Sequence, residues 1–219
     1  LVGYGRTHMR VGLIGVGKMG AGIGMNILKA GHDLVVHDIV TERTAPHVQA
    51  GARRADSPRE LALSSDVIFT SLPGPQEVEE VSLGRDGLAE SLKAGQAYFD
   101  LTTNSPSLVR RLHDIFLQHN VPMFDAPVSG GPWGAASGKM AMWVGGDETA
   151  FKKHLPLLRT MGDEISYLGP SGAGVTAKLV HNCTGFVLYT TLAETFSMGI
   201  KAGLEPELLW ETVRKGMLG

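Results

Sequence analysis

The chain has 219 residues, 43% of them apolar and 19% charged, with a formal net charge of −2. That much apolar material over more than one average domain length builds a sizeable core and excludes a disordered tail. No run of Lys or Arg is present to neutralise phosphates, which excludes nucleic acid as a partner, and a single cysteine, Cys183, excludes an internal disulfide and suits a reducing compartment, the cytoplasm.

Leu1 to His8 carries no apolar stretch of secretory-signal length and reads as an extension ahead of Met9. No apolar run approaches the roughly 20 residues of a membrane helix, so no membrane association is expected. Arg10–Ile14 is a β-prone run. Leu34–Val36, Val67–Ser71, Ala97–Phe99 and Val121–Phe124 follow it, and Met19–Ala30, Val40–Ala50, Ser57–Leu63, Ser107–Gln118 and Thr149–Met161 have helical patterning. Short apolar strands alternating with helices predict an α/β fold, a Rossmann-like doubly wound parallel sheet covered on both faces, over residues 9–168. Past Gly169-Pro170-Ser171-Gly172 the composition changes. No proline occurs up to Ala202, and Ala, Leu, Val and Thr dominate, which predicts a long, buried interdomain helix. Gly203 ends it, and Glu205-Pro206-Glu207 opens a short amphipathic piece through Val213, so residues 169–219 read as that helix plus the start of an all-α C-terminal domain. The apolar sides of the long helix need cover, either from another copy in a homo-oligomer or from more of the same domain.

Gly15-Val16-Gly17-Lys18-Met19-Gly20 directly follows the first strand and opens the first helix. The first glycine permits the tight turn, the second lets a pyrophosphate approach the backbone, and the third lets helix and strand pack closely. Free N–H groups and the positive helix end then face the phosphates. Asp38, at the end of the second strand, is placed to accept both ribose hydroxyls of NAD and to repel the 2′-phosphate of NADP. Arg43, a little further on, could still reach a phosphate, so NAD is expected and NADP is not excluded. Ser71-Leu72-Pro73 and Asp100-Leu101-Thr102-Thr103 close later strands at their carboxyl ends, where such sheets bind ligands. Leu72, Pro73 and Thr103 are therefore assigned to the nicotinamide-ribose side.

Two further segments suggest chemistry. In Asp125-Ala126-Pro127-Val128-Ser129-Gly130-Gly131, the Ser129 hydroxyl and the unshielded amides of Gly130 and Gly131 make a candidate carboxylate cradle. In Gly172-Ala173-Gly174-Val175-Thr176-Ala177-Lys178, a lysine opens an apolar helix, with Asn182 four residues on and on the same face. A lysine on so apolar a stretch is either paired or in a cleft. Trp133 and Met142 are candidate wall residues. His32, His37 and His181 lack ligand spacing with a Cys or carboxylate, so no metal is expected, and His181 reads as a wall or packing residue.

The glycine loop, the Asp125–Gly131 segment with Gly134-Ala135 and Gly138 behind it, and the Gly172/Gly174/Lys178/Asn182 segment occur in the order found in the beta-hydroxyacid dehydrogenases. The chain resembles that family from about Met9 to Gly219. The resemblance implies Lys178 as the catalytic lysine, Asn182 as a substrate-orienting amide, Ser129-Gly130-Gly131 as the carboxylate site, and a helical C-terminal domain whose first helices fall in this chain. It implies reversible oxidation of a small 3-hydroxy acid, the nicotinamide exchanging hydride with the carbinol carbon and Lys178 exchanging the hydroxyl proton. A non-catalytic dinucleotide-binding module on the same scaffold is the competing reading, and the lysine argues against it. Imine reduction ranks lower, since those related proteins commonly have another residue at the Lys178 position. Cys183, off the helical face of Lys178, reads as a buried structural thiol rather than a nucleophile.

Overall fold

A computed structural model describes residues 8–216; the reading of the first residues as an extension lies, for residues 1–7, outside them. The chain divides into two compact units, one ending at Lys178 and the other starting at Leu179.

The first unit is built on one nine-stranded sheet. Strands β1 (Arg10–Ile14), β2 (Asp33–His37), β3 (Arg53–Arg54), β4 (Val67–Thr70), β5 (Ala97–Asp100) and β6 (Met123–Asp125) lie in the order β3-β2-β1-β4-β5-β6, all parallel. Every residue of β4 and β5 is buried, as expected of central parallel strands covered on both faces. The period-two alternation of the strands divides the interior into two cores. Val11, Leu13, Val67, Phe69, Ala97 and Phe99 point to one side, against Ile23 and Ile27 of helix α1 (Gly20–Lys29). Ile14, Val35, Ile68 and Tyr98 point to the other. They meet Leu61 of α3 (Pro58–Leu63), Val78 of α4 (Pro75–Leu83) and Leu108, Leu112 and Phe116 of α5 (Pro106–Gln118). This is a doubly wound sheet, and the order reverses direction between β1 and β4, where a crevice opens at the carboxyl ends.

The sheet departs from the all-parallel expectation beyond β6. Strand β8 (Met140–Gly145) runs antiparallel to β6 and to the short β7 (Val128–Ser129), and parallel to β9 (Gly162–Gly169). Helix α6 (Gly131–Ser137) reverses the chain before β8, and α7 (Glu148–Leu158) connects β8 to β9. The last strand has mostly exposed or half-buried positions, Asp163 and Glu164 among them, so it lacks the apolar run that marks an interior strand. The predicted helix over Val40–Ala50 is a 3-10 turn, Thr41–Thr44, followed by the one-turn α2 (Ala45–Gln49).

Helix α8 (Ala173–Lys201) buries Gly174, Val175 and Lys178 and no residue after them. The expectation that the whole long helix is buried is corrected. Phe186, Val187 and Tyr189 are exposed, because α9 (Pro206–Val213) is the one other helix among the described residues of the second unit. Helix α9 packs at the far end of α8, where a Cβ on Gly199 would stand 2.7 Å from the Leu209 side chain. Among the described residues, no helix is long and apolar enough to cross a membrane.

Candidate active site

The turn after β1 meets each requirement of a phosphate-binding loop. Gly15 has φ +88°, a left-handed conformation that only glycine adopts without strain, and a Cβ there would stand 2.4 Å from the Ser71 carbonyl. A Cβ on Gly20 would stand 1.9 Å from the Gly15 carbonyl, so this glycine lets α1 start against the turn. At Gly17 a Cβ would meet no atom within 4 Å, which leaves backbone facing open space where a pyrophosphate fits. Asp38, only 9% exposed, accepts the Val16 N–H at 2.9 Å through one carboxylate oxygen and the Val40 N–H at 2.9 Å through the other. The Arg43 guanidinium lies 3.6 Å from the second oxygen. Asp38 therefore braces the phosphate loop itself, a task the sequence reading did not assign to it. An ionised carboxylate offers about four lone-pair sites, so acceptor capacity for ribose hydroxyls remains.

The loops after β4 and β5 are tied to each other. The Thr102 hydroxyl accepts the Leu72 N–H at 3.1 Å. Beneath them Asp100, 1% exposed, accepts from the Thr70 hydroxyl at 2.9 Å, the Thr102 N–H at 3.1 Å and the Asn104 amide at 2.7 Å. Burial pushes the Asp100 carboxyl above the usual range, and these donors act against that rise. The sequence offered a sign of this network in two adjacent strand ends rich in small polar groups, but not its wiring.

At the carboxyl ends of the strands these loops enclose a cavity of about 270 Å³. Met19, Leu72, Pro73, Thr103, Ser129, Gly130, Gly131 and Lys178, all predicted site residues, line it with Ser71, Leu101, Thr102 and Val128. Gly130 and Gly131 have φ of +128° and +61°. That backbone turns into α6, which seats on α1 where Asn26 donates to the Ala135 carbonyl at 2.7 Å. Gly134, Ala135 and Gly138 thus serve the packing of α6. Lys18 is exposed and does not line the cavity. Trp133 is 71% exposed and Met142 is fully buried in the core, so neither is a cavity wall.

Lys178 is the one ionisable side chain among the residues lining this cavity. It is 7% exposed, its Nζ stands over the Trp143 ring at 5.6 Å from the centroid, and burial draws its pKa below the ordinary lysine value. A lowered pKa gives the amine a larger neutral fraction near neutral pH, which a proton acceptor needs. Its position is fixed from below. Asp125, 1% exposed at the end of β6, accepts the Gly172 N–H at 2.8 Å and the Val175 N–H at 2.7 Å, capping the first turn of α8 from a neighbouring strand. The sequence reading named Asp125 only as the start of its segment.

Asn182 belongs to the second unit, where it is half-buried, with its Oδ1 3.2 Å from His181 Nδ1. His181 is exposed rather than packed, and Cys183 is exposed rather than buried, both on the stretch of α8 that buries nothing. The imidazole of His32 accepts the Met9 N–H at 3.3 Å, and His37 Nδ1 lies 3.0 Å from the Ala55 carbonyl. Among the described residues, no three His, Cys, Asp or Glu side chains cluster as a metal site.

Residues 10–169 match the family described as the NAD binding domain of 6-phosphogluconate dehydrogenase. The chain is 39% identical over 210 residues to the NAD-dependent L-serine dehydrogenase of Pseudomonas aeruginosa, a match covering 96% of this chain and 70% of that protein. It is 35% identical to the 2-(hydroxymethyl)glutarate dehydrogenase of Eubacterium barkeri, over 94% of this chain and 69% of that one. Among solved structures, Mycobacterium tuberculosis 3-hydroxyisobutyrate dehydrogenase with L-serine superposes with a TM-score of 0.90 at 28% identity, over 96% of this chain and 72% of that chain. Doubly wound sheet, glycine turn and relatives agree: the chain belongs to the beta-hydroxyacid dehydrogenases, NAD-dependent oxidoreductases that share their dinucleotide-binding domain with 6-phosphogluconate dehydrogenase.

Proposed function

We propose that this protein reversibly oxidises a small 3-hydroxy acid with NAD, Lys178 acting as the general base on the substrate hydroxyl and as the general acid in the reverse direction. The observation that carries the reading is a buried lysine with a lowered pKa in the same cavity as Ser129, Gly130 and Gly131. The substrates named for the relatives, L-serine, 3-hydroxyisobutyrate and 2-(hydroxymethyl)glutarate, each carry a hydroxymethyl group on the carbon bearing the carboxylate. A site for them needs an anion cradle and a proton acceptor a few ångströms apart.

The Ser129 hydroxyl and the amides of Gly130 and Gly131 hold the substrate carboxylate, with glycine leaving those N–H groups unshielded. This fixes the hydroxyl towards Lys178, whose neutral amine accepts the proton as the carbonyl forms. In reduction the ammonium returns that proton to the oxygen. Gly15, Val16, Gly17, Lys18, Met19 and Gly20, with Asp38, Leu72, Pro73 and Thr103, would hold NAD, which would supply the hydride acceptor. The family resemblance supports Asn182 as a substrate-orienting amide. Arg43 beside Asp38 leaves NADP as a second cofactor to be assayed. Residues 9–168 act as the dinucleotide-binding domain, and residues 169–219 supply the catalytic lysine and begin the helical domain. Exposed Phe186, Val187 and Tyr189 on α8 support a homo-oligomer formed through that domain, and a lone cysteine supports a cytoplasmic enzyme.

The test is a dehydrogenase assay of the whole protein with NAD and NADP against these three hydroxy acids. At least one is oxidised, and Lys178→Ala lowers kcat by about 10²–10⁴-fold while the NAD Kd holds. NAD binding without turnover across the panel would instead favour a non-catalytic module. An unchanged kcat in Lys178→Ala would remove the lysine from the chemistry.

A further inference from the structure

We propose that Trp143 is a positioning residue for Lys178: its indole face holds the ammonium in the cleft and favours the protonated amine, setting the pH range over which Lys178 exchanges its proton. The catalytic meaning of this rests on the acid/base reading above; the tuning itself does not.

Trp143 stands on β8 between Met142 and Val144, both fully buried, so strand alternation turns its side chain to the opposite face of the sheet, the one α8 enters. Its backbone is held from both sides. Its N–H donates to the Pro127 carbonyl at 3.2 Å, and it pairs with Ser166 of β9. Helix α8 lies directly on this strand, since a Cβ on Gly174 would stand 2.2 Å from the Trp143 carbonyl. One turn later Lys178 presents its Nζ at 5.6 Å from the indole centroid, inside the roughly 6 Å range in which a ring quadrupole attracts a cation. Close packing of two backbones therefore brings indole and ammonium together.

Among the described residues, the indole face is the contact the structure gives the Lys178 ammonium. Burial lowers the Lys178 pKa, and among the described residues its amine forms no ion pair within 4 Å. β6 carries the Asp125 carboxylate, whose two oxygens are engaged by the Gly172 and Val175 amides. From α5 the Arg110 guanidinium lies by Gly172, where a Cβ would stand 3.1 Å from it. The other residues lining the cavity carry no ionisable group. Desolvation without a counter-ion drives the amine towards its neutral form, and the ring face restores part of the lost stabilisation of the cation. Trp143 thereby keeps Lys178 both a base and an acid, as a reversible reaction requires.

The experiment compares the intact protein with Trp143→Phe and Trp143→Leu. The ionisation of Lys178 is read directly, by competitive labelling with acetic anhydride and mass spectrometry of the Lys178 peptide across the neutral to alkaline range. The labelling midpoint is expected to fall by about 0.4–1.5 pH units in Trp143→Leu and by less in Trp143→Phe. The ionisation limb of kcat/KM for the best hydroxy acid should move with it, at constant NAD Kd. A midpoint that stays in place or rises in both variants overturns the proposal. Because Phe keeps an aromatic face and most of the volume, the graded series remains readable if the leucine variant folds poorly. A midpoint that falls while the kinetic limb stays supports the tuning and counts against Lys178 as the acid/base group.

Discussion

The Asp125 carboxylate accepts the backbone N–H of Val175 at 2.7 Å, three residues before Lys178 on the same helix. Its other oxygen takes the Gly172 N–H at 2.8 Å, so one buried side chain on β6 satisfies two free amides of a helix terminus. Burial pushes the Asp125 carboxyl up, against the pull of those amides. Asp125→Ala leaves two buried donors without partners, a loss of about 2–4 kcal/mol. Asp125→Asn keeps one acceptor oxygen and should cost roughly half as much. Chemical denaturation measures the stability of each variant. The kcat of the asparagine variant, which folds, reports whether a loosened helix start misplaces Lys178. If both variants match the parent in stability and kcat, Asp125 does not anchor the helix.

The two glycines that bracket the phosphate loop separate cofactor binding from folding. At Gly17 an added methyl group meets no protein atom within 4 Å, so Gly17→Ala should unfold at the same temperature as the parent. The methyl group would occupy the space a pyrophosphate needs, and NAD affinity should fall tenfold or more, about 1.4 kcal/mol. At Gly20 the methyl would sit 1.9 Å from the Gly15 carbonyl, a backbone atom that cannot move without opening the turn. Gly20→Ala should lose both NAD affinity and about 1–3 kcal/mol of stability. Thermal unfolding with and without NAD reads both quantities; a Gly17→Ala protein that binds NAD normally would mean that the dinucleotide does not cross this turn.

How far the sequence predicts the site follows from which residues carry local signals. The glycine turn and strands β1, β2, β4, β5 and β6 are legible because apolar runs and helical periods alternate there, and because each glycine of the turn has a steric reason; β3, two exposed arginines, offers no apolar run and is missed. Helix α4 has only Val78 and Ser82 buried among glutamates, so it presents no apolar face to recognise. β9 is missed for a related reason: its exposed positions interrupt the apolar pattern. Lys178 stands out because a charge on an apolar helix requires an explanation. The residues that support it do not. Asp125 acts 47 and 50 positions away in sequence, and Asp100 links β4 to β5 through Thr70, 30 positions back. Trp143 looks like a strand residue until α8 is laid across it. Local sequence names the groups that meet ligand, whereas the groups that hold them appear only when distant segments pack.

His154, 5% exposed on α7, sets a pH dependence of stability. Its ring packs edge-on against Phe99 at 5.6 Å between centroids, and its buried Nδ1 has no hydrogen-bond partner among the described residues. Burial, with the nearby Lys153 charge adding to it, draws the imidazole down to about 4. The unfolded chain takes up a proton near the ordinary value of about 6.5, and the folded protein resists it until about 4, so below about 6.5 the unfolded state binds more protons. Stability is therefore complete above that value, falls as pH drops through the window, and levels off below about 4. The full loss is about 3 kcal/mol. His154→Leu removes the titrating group, so its stability relative to the parent should rise as pH falls from about 7 to about 4.5, whatever offset the altered packing adds at neutral pH. Urea unfolding of both proteins at those two pH values measures the difference. Curves that stay parallel would mean that the imidazole is protonated in the folded state and that its contact with Phe99 does not exclude the charge.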